Sequence, residues 1–288
     1  MKISEILNQN KPVISFEVFP PKTDDAYETV KTAASEIAKL NPIFMSVTCH
    51  AVGSNQHTID IASEVQNQFH VTALAHVTCY SVTRETLPET LKQLQVHGIE
   101  NILALRGDIP AGMDFPSGEC SFKHACELTA AIKEFGGFCI GGACYPEGHP
   151  EAINRHEDIL HLKEKVDAGA EFLTSQLFFD NSTLFSFLYR AREAGIKVPI
   201  LAGIMPVTNA KQMEKSCRLS GSELPGKLKA IFDKFGDNPA AMKEAGIAYA
   251  TEQIIELIAN GENYIHVYTM NKPDVAEKIR ANLSDIIE

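Results

Sequence analysis

The chain has 288 residues, of which 44% are hydrophobic and 22% are charged, so it can bury a substantial core and is not expected to be disordered. Its 26 lysines and arginines against 37 aspartates and glutamates give a net charge of −11, which argues against nucleic acid or an anionic membrane as the main partner. An anionic cofactor stays compatible with this charge, because local cations and helix N-termini can hold phosphates.

Short β-rich segments alternate with amphipathic segments of helical length along the whole sequence. The predicted strands cover residues 13–19, 43–48, 71–79, 101–107, 138–144, 171–176, 198–204 and 264–269. The predicted helices cover residues 24–40, 56–68, 84–97, 120–135, 155–168, 181–194, 209–219 and 273–287, with two further helical pieces between 222 and 260. Gly98, Gly136, Gly169 and Gly195 follow predicted helices, as is typical of helix ends.

Eight strand–helix units without an intervening linker predict one α/β domain over residues 1–288. The expected fold is a single (β/α)₈ TIM barrel with extra helices before the last strand. A doubly wound open sheet is the alternative, but no GxGxxG motif follows the first strand.

The seven cysteines are scattered and form no CxxC motif, which fits buried thiols in a reducing cytoplasm better than disulfides or zinc. The first residues, MKISEILNQNKP, contain no apolar signal core, and no stretch approaches the length of a membrane span. The expectation is therefore a cytoplasmic protein without a membrane or nucleic-acid partner.

The first predicted strand carries a candidate catalytic acid. Ser15 and Glu17 share one side of this strand, whereas Ile14, Phe16 and Val18 share the other, apolar side that suits the surrounding helices. Glu17 should therefore face the barrel interior near its open end. A carboxyl group in an apolar mouth is disfavoured as the ion, so Glu17 can act as a general acid near neutral pH. A glutamate paired with a lysine at the rim is the alternative.

The fourth predicted strand ends in NILALRGDIP, where an apolar run gives way to Arg106, Gly107 and Asp108. A surface salt bridge at the strand end is the simpler interpretation of these residues. Other strands also end in polar residues, namely Thr48, His76, Tyr145, Gln176, Tyr268 and Asn271. Because barrels bind their ligands at the carboxyl ends of the strands, these residues predict a site at one mouth.

Several chemistries found on α/β barrels lack their residues here. The histidines show no closely spaced pair, so no metal site is expected. The sixth strand offers Gln176 where a Schiff-base aldolase needs a lysine, and no GxSxG motif is present. By elimination the mouth suits a flat cofactor. Asp158, His161 and Lys165 share a face of the following helix that could receive its diphosphate, although such a face is usually only solvated.

Eight motifs, taken together and in order, carry a family resemblance over residues 13–272. They are SFEVFPPK, SVTCHA, LAHVTC, LALRGD, CYPEGHPEA, KVDAGAEFLTSQLFFD, GIMPVTN and YTMNK. In these motifs the chain resembles the bacterial-type methylenetetrahydrofolate reductases. The resemblance implies an FAD-containing barrel that reduces 5,10-methylenetetrahydrofolate to 5-methyltetrahydrofolate. It also implies two half-reactions at one site, with NAD(P)H as the usual electron source.

The resemblance also implies roles for individual residues. Glu17 matches the general acid that opens the folate ring to an iminium ion, and Asp108 matches a carboxylate beside the flavin and the pterin. Gln176 and Lys272 match substrate-binding positions, Lys272 standing where an arginine could hold the folate glutamate. The positions that match FAD-binding residues are Thr48, His76, Arg106, Gly107, Asp108, Ala125, Tyr145, His149, Ala152, Asp158 and Lys165.

The chain departs from the family pattern at several places. His124 stands where the family often has a tyrosine, and His161 and Glu164 replace an asparagine and an arginine, so one cation near the diphosphate is lost. Ala210 stands where some members carry an aromatic residue that packs on the substrate. Two other functions stay open: another flavin barrel of the proline-dehydrogenase-like type, and a non-catalytic flavin-carrying subunit of a partner reductase. A homo-oligomer or a partner electron-donor subunit is also compatible with the sequence.

Overall fold

Eight parallel strands close into a barrel in the sequential order β1 to β8. The computed structural model describes residues 1–9, 11–21, 23–49, 55–108, 118, 121–209, 213, 217 and 224–287. The strands are β1 (Val13–Val18), β2 (Met45–Val47), β3 (Ala73–Thr78), β4 (Asn101–Leu105), β5 (Cys139–Cys144), β6 (Phe172–Ser175), β7 (Ile200–Ile204) and β8 (Tyr264–Tyr268). The predicted barrel is confirmed, and each strand is shorter than its apolar segment because the ends continue into the loops.

Helices surround the barrel in the described part of the chain. They are α1 (Ile3–Leu7), α2 (Tyr27–Ala38), α3 (Gln56–Ser63), α4 (Leu87–Val96), α5 (Ala125–Phe135), α6 (Arg155–Asp167), α7 (Asn181–Glu193), α8 (Gly226–Phe235), α9 (Pro239–Ala259) and α10 (Pro273–Asn282). A 3₁₀ turn (Asp24–Ala26) precedes α2, and a π-helical turn (Glu64–Gln68) continues α3. The predicted extra helices before the last strand are α8 and α9. No helix in these described ranges is long and apolar enough to cross a membrane.

Several expected helix boundaries are confirmed by the backbone. Gly136 directly follows α5 with a φ of 84°, and Gly195 lies just beyond α7 with a φ of 80°. An L side chain is strained in this left-handed region, so glycine is the favoured residue where these helices stop. The predicted helix at 209–219 lies mostly outside the described residues, although Met213 and Cys217 are helical.

Each of the two faces of the strands contributes to its own apolar layer. One face packs against the helices, with Ile14, Phe16 and Val18 in that layer, as the alternation of β1 predicts. The other face fills the floor of the barrel with Phe44, Leu74, Leu103, Cys139, Phe172 and Leu201. The barrel is therefore closed at its amino-terminal end, and polar side chains occupy the opposite half of its interior.

Helix α1 seals the floor and was not predicted from the sequence. Ile3 and Leu7 are fully buried against the floor residues. The side chain of Asn101 accepts a hydrogen bond from the Ile3 backbone nitrogen at 2.9 Å and donates to the Met1 carbonyl oxygen at 3.1 Å. The Tyr264 hydroxyl donates to the Leu7 carbonyl oxygen. Five residues are too few for a recognisable helical period, and so short a helix is marginal without the tertiary contacts that bury it.

Candidate active site

Glu17 lies inside the open half of the barrel and is 7% exposed. The strand register places it beside Ser46 of β2 and Tyr268 of β8. Its Oε2 atom lies 3.5 Å from Ser46 Oγ, 3.7 Å from His76 Nε2 and 3.9 Å from His266 Nε2. The inward orientation expected for Glu17 is confirmed, but its surroundings are polar, not apolar as expected from its sequence neighbours. Inward-facing residues of other strands, which the sequence of β1 cannot reveal, supply these groups.

His76 on β3 faces the same space as Glu17 and is buried. Burial lowers the pKa of His76 to about 4, with Glu17 opposing and His266 adding to this effect. The ring is therefore neutral near pH 7. Among the described residues, its Nε2 atom has no hydrogen-bond partner. A buried polar atom without a partner at the open end of the barrel is available to a ligand.

A second group of polar residues follows β4 and β5. Arg106 donates from both terminal nitrogens to the Glu151 carboxylate, at 2.5 and 2.7 Å. This bidentate pair raises the pKa of Arg106 and lowers that of Glu151. Glu151 was missed in the sequence, where it is one of several acidic residues in a loop. An anionic ligand of Arg106 would have to share the guanidinium with Glu151 or displace it.

Tyr145 and His149 form the wall between this group and helix α6. Their rings meet edge to face with centroids 4.6 Å apart. Burial raises the pKa of Tyr145 to about 12, and the negative charge of Asp108 adds to the shift. Asp158 on α6 accepts a hydrogen bond from the His149 backbone, and burial raises the pKa of its carboxyl group. Asp108, His149 and Asp158 thus all interact with Tyr145.

Lys165 lies two turns after Asp158 on the same face of α6 and points at β5. Its Nζ atom donates to the Ala143 carbonyl oxygen at 2.6 Å, and burial lowers the pKa of the ammonium group. A Cβ atom at Gly142 would lie 2.6 Å from Lys165 Cδ, so the glycine leaves room for the lysine stem. His161, expected on the same face, instead points to solvent with 69% of its side chain exposed, and Nδ1 lies 3.2 Å from Glu164 Oε2. Three residues turn a helix through about 300°, so His161 lies about 60° from Asp158, at the solvent-exposed edge of the face that they share.

The remaining predicted residues lie around the rim. Gly107 has a φ of 86°, and a Cβ there would lie 3.0 Å from Thr78 Cβ. Lys272 donates to Thr208 Oγ1 at 2.6 Å, and the Gln176 side chain accepts from the Leu177 backbone nitrogen at 2.9 Å. Thr48 follows β2, Ala125 begins α5 and Ala152 lies in the loop before α6. These positions are compatible with ligand contact, while Ala210 lies outside the described residues.

The methylenetetrahydrofolate reductase family model matches residues 2–284 of the chain. The chain belongs to this family. It is 35% identical to the 5,10-methylenetetrahydrofolate reductase of Pectobacterium carotovorum over 94% of the chain and 90% of that protein. It is 34% identical to the enzyme of the same name from Escherichia coli K12 over 92% of the chain and 88% of that protein. These matches confirm the resemblance carried by the eight motifs.

Plant relatives and a solved structure extend the comparison. The chain is 36% identical to methylenetetrahydrofolate reductase (NADH) 1 of Arabidopsis thaliana over its full length, but it spans about half (51%) of that relative. A Clostridium thermocellum protein, described as binding two copies of 5-methyl-5,6,7,8-tetrahydrofolic acid, superimposes with a TM-score of 0.69 at 17% identity. The alignment covers 99% of each chain, and at this identity it supports the shared barrel fold alone.

Sequence reasoning missed Ser46 and His266 of this reductase-family site. Both lie in apolar strands, at positions that face the interior together with Glu17. The available signal was the polar residue inside the strand YIHVY, two positions before Tyr268 and therefore on the same side. The alternation of inward and outward side chains, applied to β8 as it was to β1, predicts that His266 faces the barrel interior.

Proposed function

We propose that the protein is a flavin-dependent methylenetetrahydrofolate reductase that reduces 5,10-methylenetetrahydrofolate to 5-methyltetrahydrofolate. The observation that carries this proposal is the buried carboxyl group of Glu17, at the open end of a barrel that matches the family over residues 2–284. Its neighbours Ser46, His76 and His266 are hydrogen-bonding groups that can support a carboxyl group in either protonation state.

The role of Glu17 in this reaction is proton transfer. Its carboxyl group gives a proton to the folate nitrogen that leaves the methylene carbon, so the five-membered ring opens to an iminium ion. The iminium carbon then accepts hydride and becomes the methyl group. Asp108, at the exposed end of β4, supplies a negative charge that favours the cationic iminium. Burial of Glu17 keeps bulk water from competing for the proton.

FAD fits the second group of polar residues. When bound, FAD would supply the hydride, having taken it from a reduced nicotinamide. Lys165 offers a cation for its diphosphate, and Arg106 offers a second one where the phosphate shares or displaces Glu151. Nε2 of buried His76, which has no hydrogen-bond partner among the described residues, offers a hydrogen-bonding group at the mouth. Gly107 permits the turn that carries the chain from Arg106 to Asp108 at the end of β4, since its φ of 86° and the nearby Thr78 side chain disfavour any other residue. NADH is the proposed donor, since the plant relatives carry it in their names.

The proposed reaction is tested by a spectrum in three steps. The purified protein, with FAD added, should absorb as a flavoprotein, lose this absorbance when NADH is added without oxygen, and regain it with methylenetetrahydrofolate. Tetrahydrofolate without the methylene carbon is the control and should not restore the absorbance. A protein that takes up no FAD, or one whose reduced flavin is not reoxidised by the folate, would contradict the proposal.

Lys165→Met is expected to weaken FAD binding by about tenfold or more. A well-formed charge-assisted bond to a phosphate contributes roughly 1.5–3 kcal/mol, and about 1.4 kcal/mol corresponds to one decade of affinity. Methionine keeps most of the alkyl stem that packs beside Gly142, so the loss should report on the charge. The measurement is the quenching of FAD fluorescence during titration with apoprotein.

Lys163→Met is the matched control on the same helix. Lys163 pairs with Asp167 on the outer surface, and its loss should leave FAD affinity unchanged. Equal affinities of the Lys165 variant and the parent would mean that α6 does not meet the cofactor.

A further inference from the structure

The ion pair between Arg106 and Glu151 joins two side chains of unequal exposure at the mouth of the barrel. The Arg106 side chain is 26% exposed, whereas that of Glu151 is 60% exposed. A second ion pair of the same loop is the reverse, since Glu147 is 13% exposed and its partner Arg155 is 61% exposed. An exposed carboxylate loses little when it leaves its partner, because water solvates it again. The carboxylate on Arg106 is therefore the exchangeable half of its pair.

The loop that carries Glu151 is held by bonds that do not involve the ion pair. The Glu151 backbone nitrogen donates to His149 Nδ1 at 3.1 Å, and the Ala152 nitrogen donates to the His149 carbonyl oxygen at 2.9 Å. Neither bond uses an oxygen of the Glu151 carboxylate. Rotation about the side-chain bonds of Glu151 can therefore release Arg106 while the loop backbone keeps its conformation.

The charges around Arg106 decide between sharing and displacement. The hydrogen bond and charge of Glu151, with a smaller contribution from exposed Asp108, raise the pKa of Arg106. Tyr145 and His149 are neutral near pH 7, because burial raises the pKa of Tyr145 to about 12 and lowers that of His149. A phosphate that met Arg106 with Glu151 still in place would thus face one cation and two carboxylates. This repulsion favours displacement of Glu151 over sharing.

We propose that Glu151 is an internal competitor for phosphate, which occupies Arg106 in the empty protein and leaves the guanidinium when the diphosphate of FAD binds. A guanidinium binds a carboxylate and a phosphate with the same pair of parallel hydrogen bonds, so one anion can replace the other. The inference rests on the proposed function for the identity of the ligand. The exchange itself requires only a diphosphate, and Glu151 thereby limits the affinity for FAD.

The first test uses inorganic pyrophosphate and the full chain freed of flavin. Glu151→Gln should bind pyrophosphate about threefold or more tightly than the parent, because an exposed ion pair contributes up to about 1 kcal/mol and its competition is removed. Glutamine keeps the length of the side chain but carries no charge. Titration calorimetry measures both affinities. Equal or weaker binding by the variant would overturn the proposal.

The second test uses FAD itself, followed by the quenching of its fluorescence. Glu151→Gln should also bind FAD about threefold or more tightly than the parent. The sign of the change is decisive: if Glu151 oriented Arg106 while FAD is bound, or only supported the loop, the same substitution would weaken FAD binding. Weaker or unchanged binding of FAD would therefore contradict the exchange of anions.

Glu252→Gln is the matched control for both ligands. Glu252 is 64% exposed, and its two carboxylate oxygens lie 2.6 and 2.5 Å from Lys227 Nζ on the outer helices α8 and α9. Its replacement removes the same charge from a comparable ion pair and should leave both affinities unchanged.

A double variant shows whether the gain passes through Arg106. When Arg106→Gln is added to Glu151→Gln, the gain in pyrophosphate affinity should be lost, since no guanidinium remains to be released. A gain that persists without Arg106 would overturn the proposal. If pyrophosphate shows the gain and its dependence on Arg106 while the parent takes up no FAD, the exchange of anions stands and the proposed function fails.

Discussion

Glu17→Gln is expected to slow folate reduction by about 10²- to 10⁴-fold, the usual contribution of a general acid. Glutamine keeps the size of the side chain and can still accept from Ser46 Oγ, which lies 3.5 Å from the carboxylate. It cannot give a proton to the folate nitrogen. Reduction of the flavin by NADH needs no proton from this position, so its rate should stay near that of the parent. Rapid mixing of each half-reaction separately measures both rates.

A matched variant shows whether the slower folate reduction is specific to a glutamate at the mouth of the barrel. Glu262 is another partly buried glutamate, and burial raises the pKa of its carboxyl group. It precedes β8 and therefore lies at the opposite end of the barrel from Glu17. Glu262→Gln should leave both half-reactions unchanged. If Glu17→Gln slows both half-reactions equally, Glu17 shapes the flavin site and is not the acid.

Leu7→Ala is expected to lower the free energy of unfolding by about 2–5 kcal/mol, the range for a buried leucine. Leu7 is fully buried in one cluster with Leu74 of β3, Phe172 of β6 and Phe44, which directly precedes β2. Rigid barrel walls cannot collapse into the space left by the side chain, so a cavity should remain. Denaturant unfolding followed by circular dichroism measures the change.

The control for Leu7 is Glu5→Ala, which lies on the same short helix with an exposed side chain. A surface change of this kind should alter stability by no more than about 0.5 kcal/mol. The rates of both half-reactions in folded Leu7→Ala protein should match the parent, since the floor and the mouth are at opposite ends. A loss of less than about 1 kcal/mol would mean that α1 does not seal the barrel.

The repeating pattern of the chain was sufficient to predict the barrel. Eight apolar runs alternating with amphipathic segments leave few ways to bury both surfaces, and parallel strands joined by helices close in sequential order. Glycines such as Gly136 and Gly195 marked the helix ends, because their backbone angles are costly for other residues. Helix α1 was not predicted, since five residues are too few to show a helical pattern in the sequence, and the helix depends on its packing against the barrel floor.

For the site, strand alternation predicted that Glu17 points into the barrel, but it did not predict which side chains surround its carboxyl group. Ser46 and His266 approach it from strands that lie 29 and 249 positions away in the chain, and their distances depend on barrel closure. The pairing of Arg106 with Glu151 likewise depends on how the loop after β5 folds back over the end of β4. The spacing of His161 predicted the helix face that it shares with Asp158 and Lys165, but not that its side chain would be 69% exposed, because exposure depends on how α6 packs on the barrel.

The sequence by itself thus determined the order of the strands, the inward direction of Glu17 and the polar rim, because these follow from local periods and from residue chemistry. Only the tertiary structure decided that Glu17 shares a hydroxyl with His266, that Glu151 holds Arg106, and that α1 closes the floor. Hydrogen bonds of about 3 Å depend on the relative placement of distant strands and loops, which no local pattern of residues encodes.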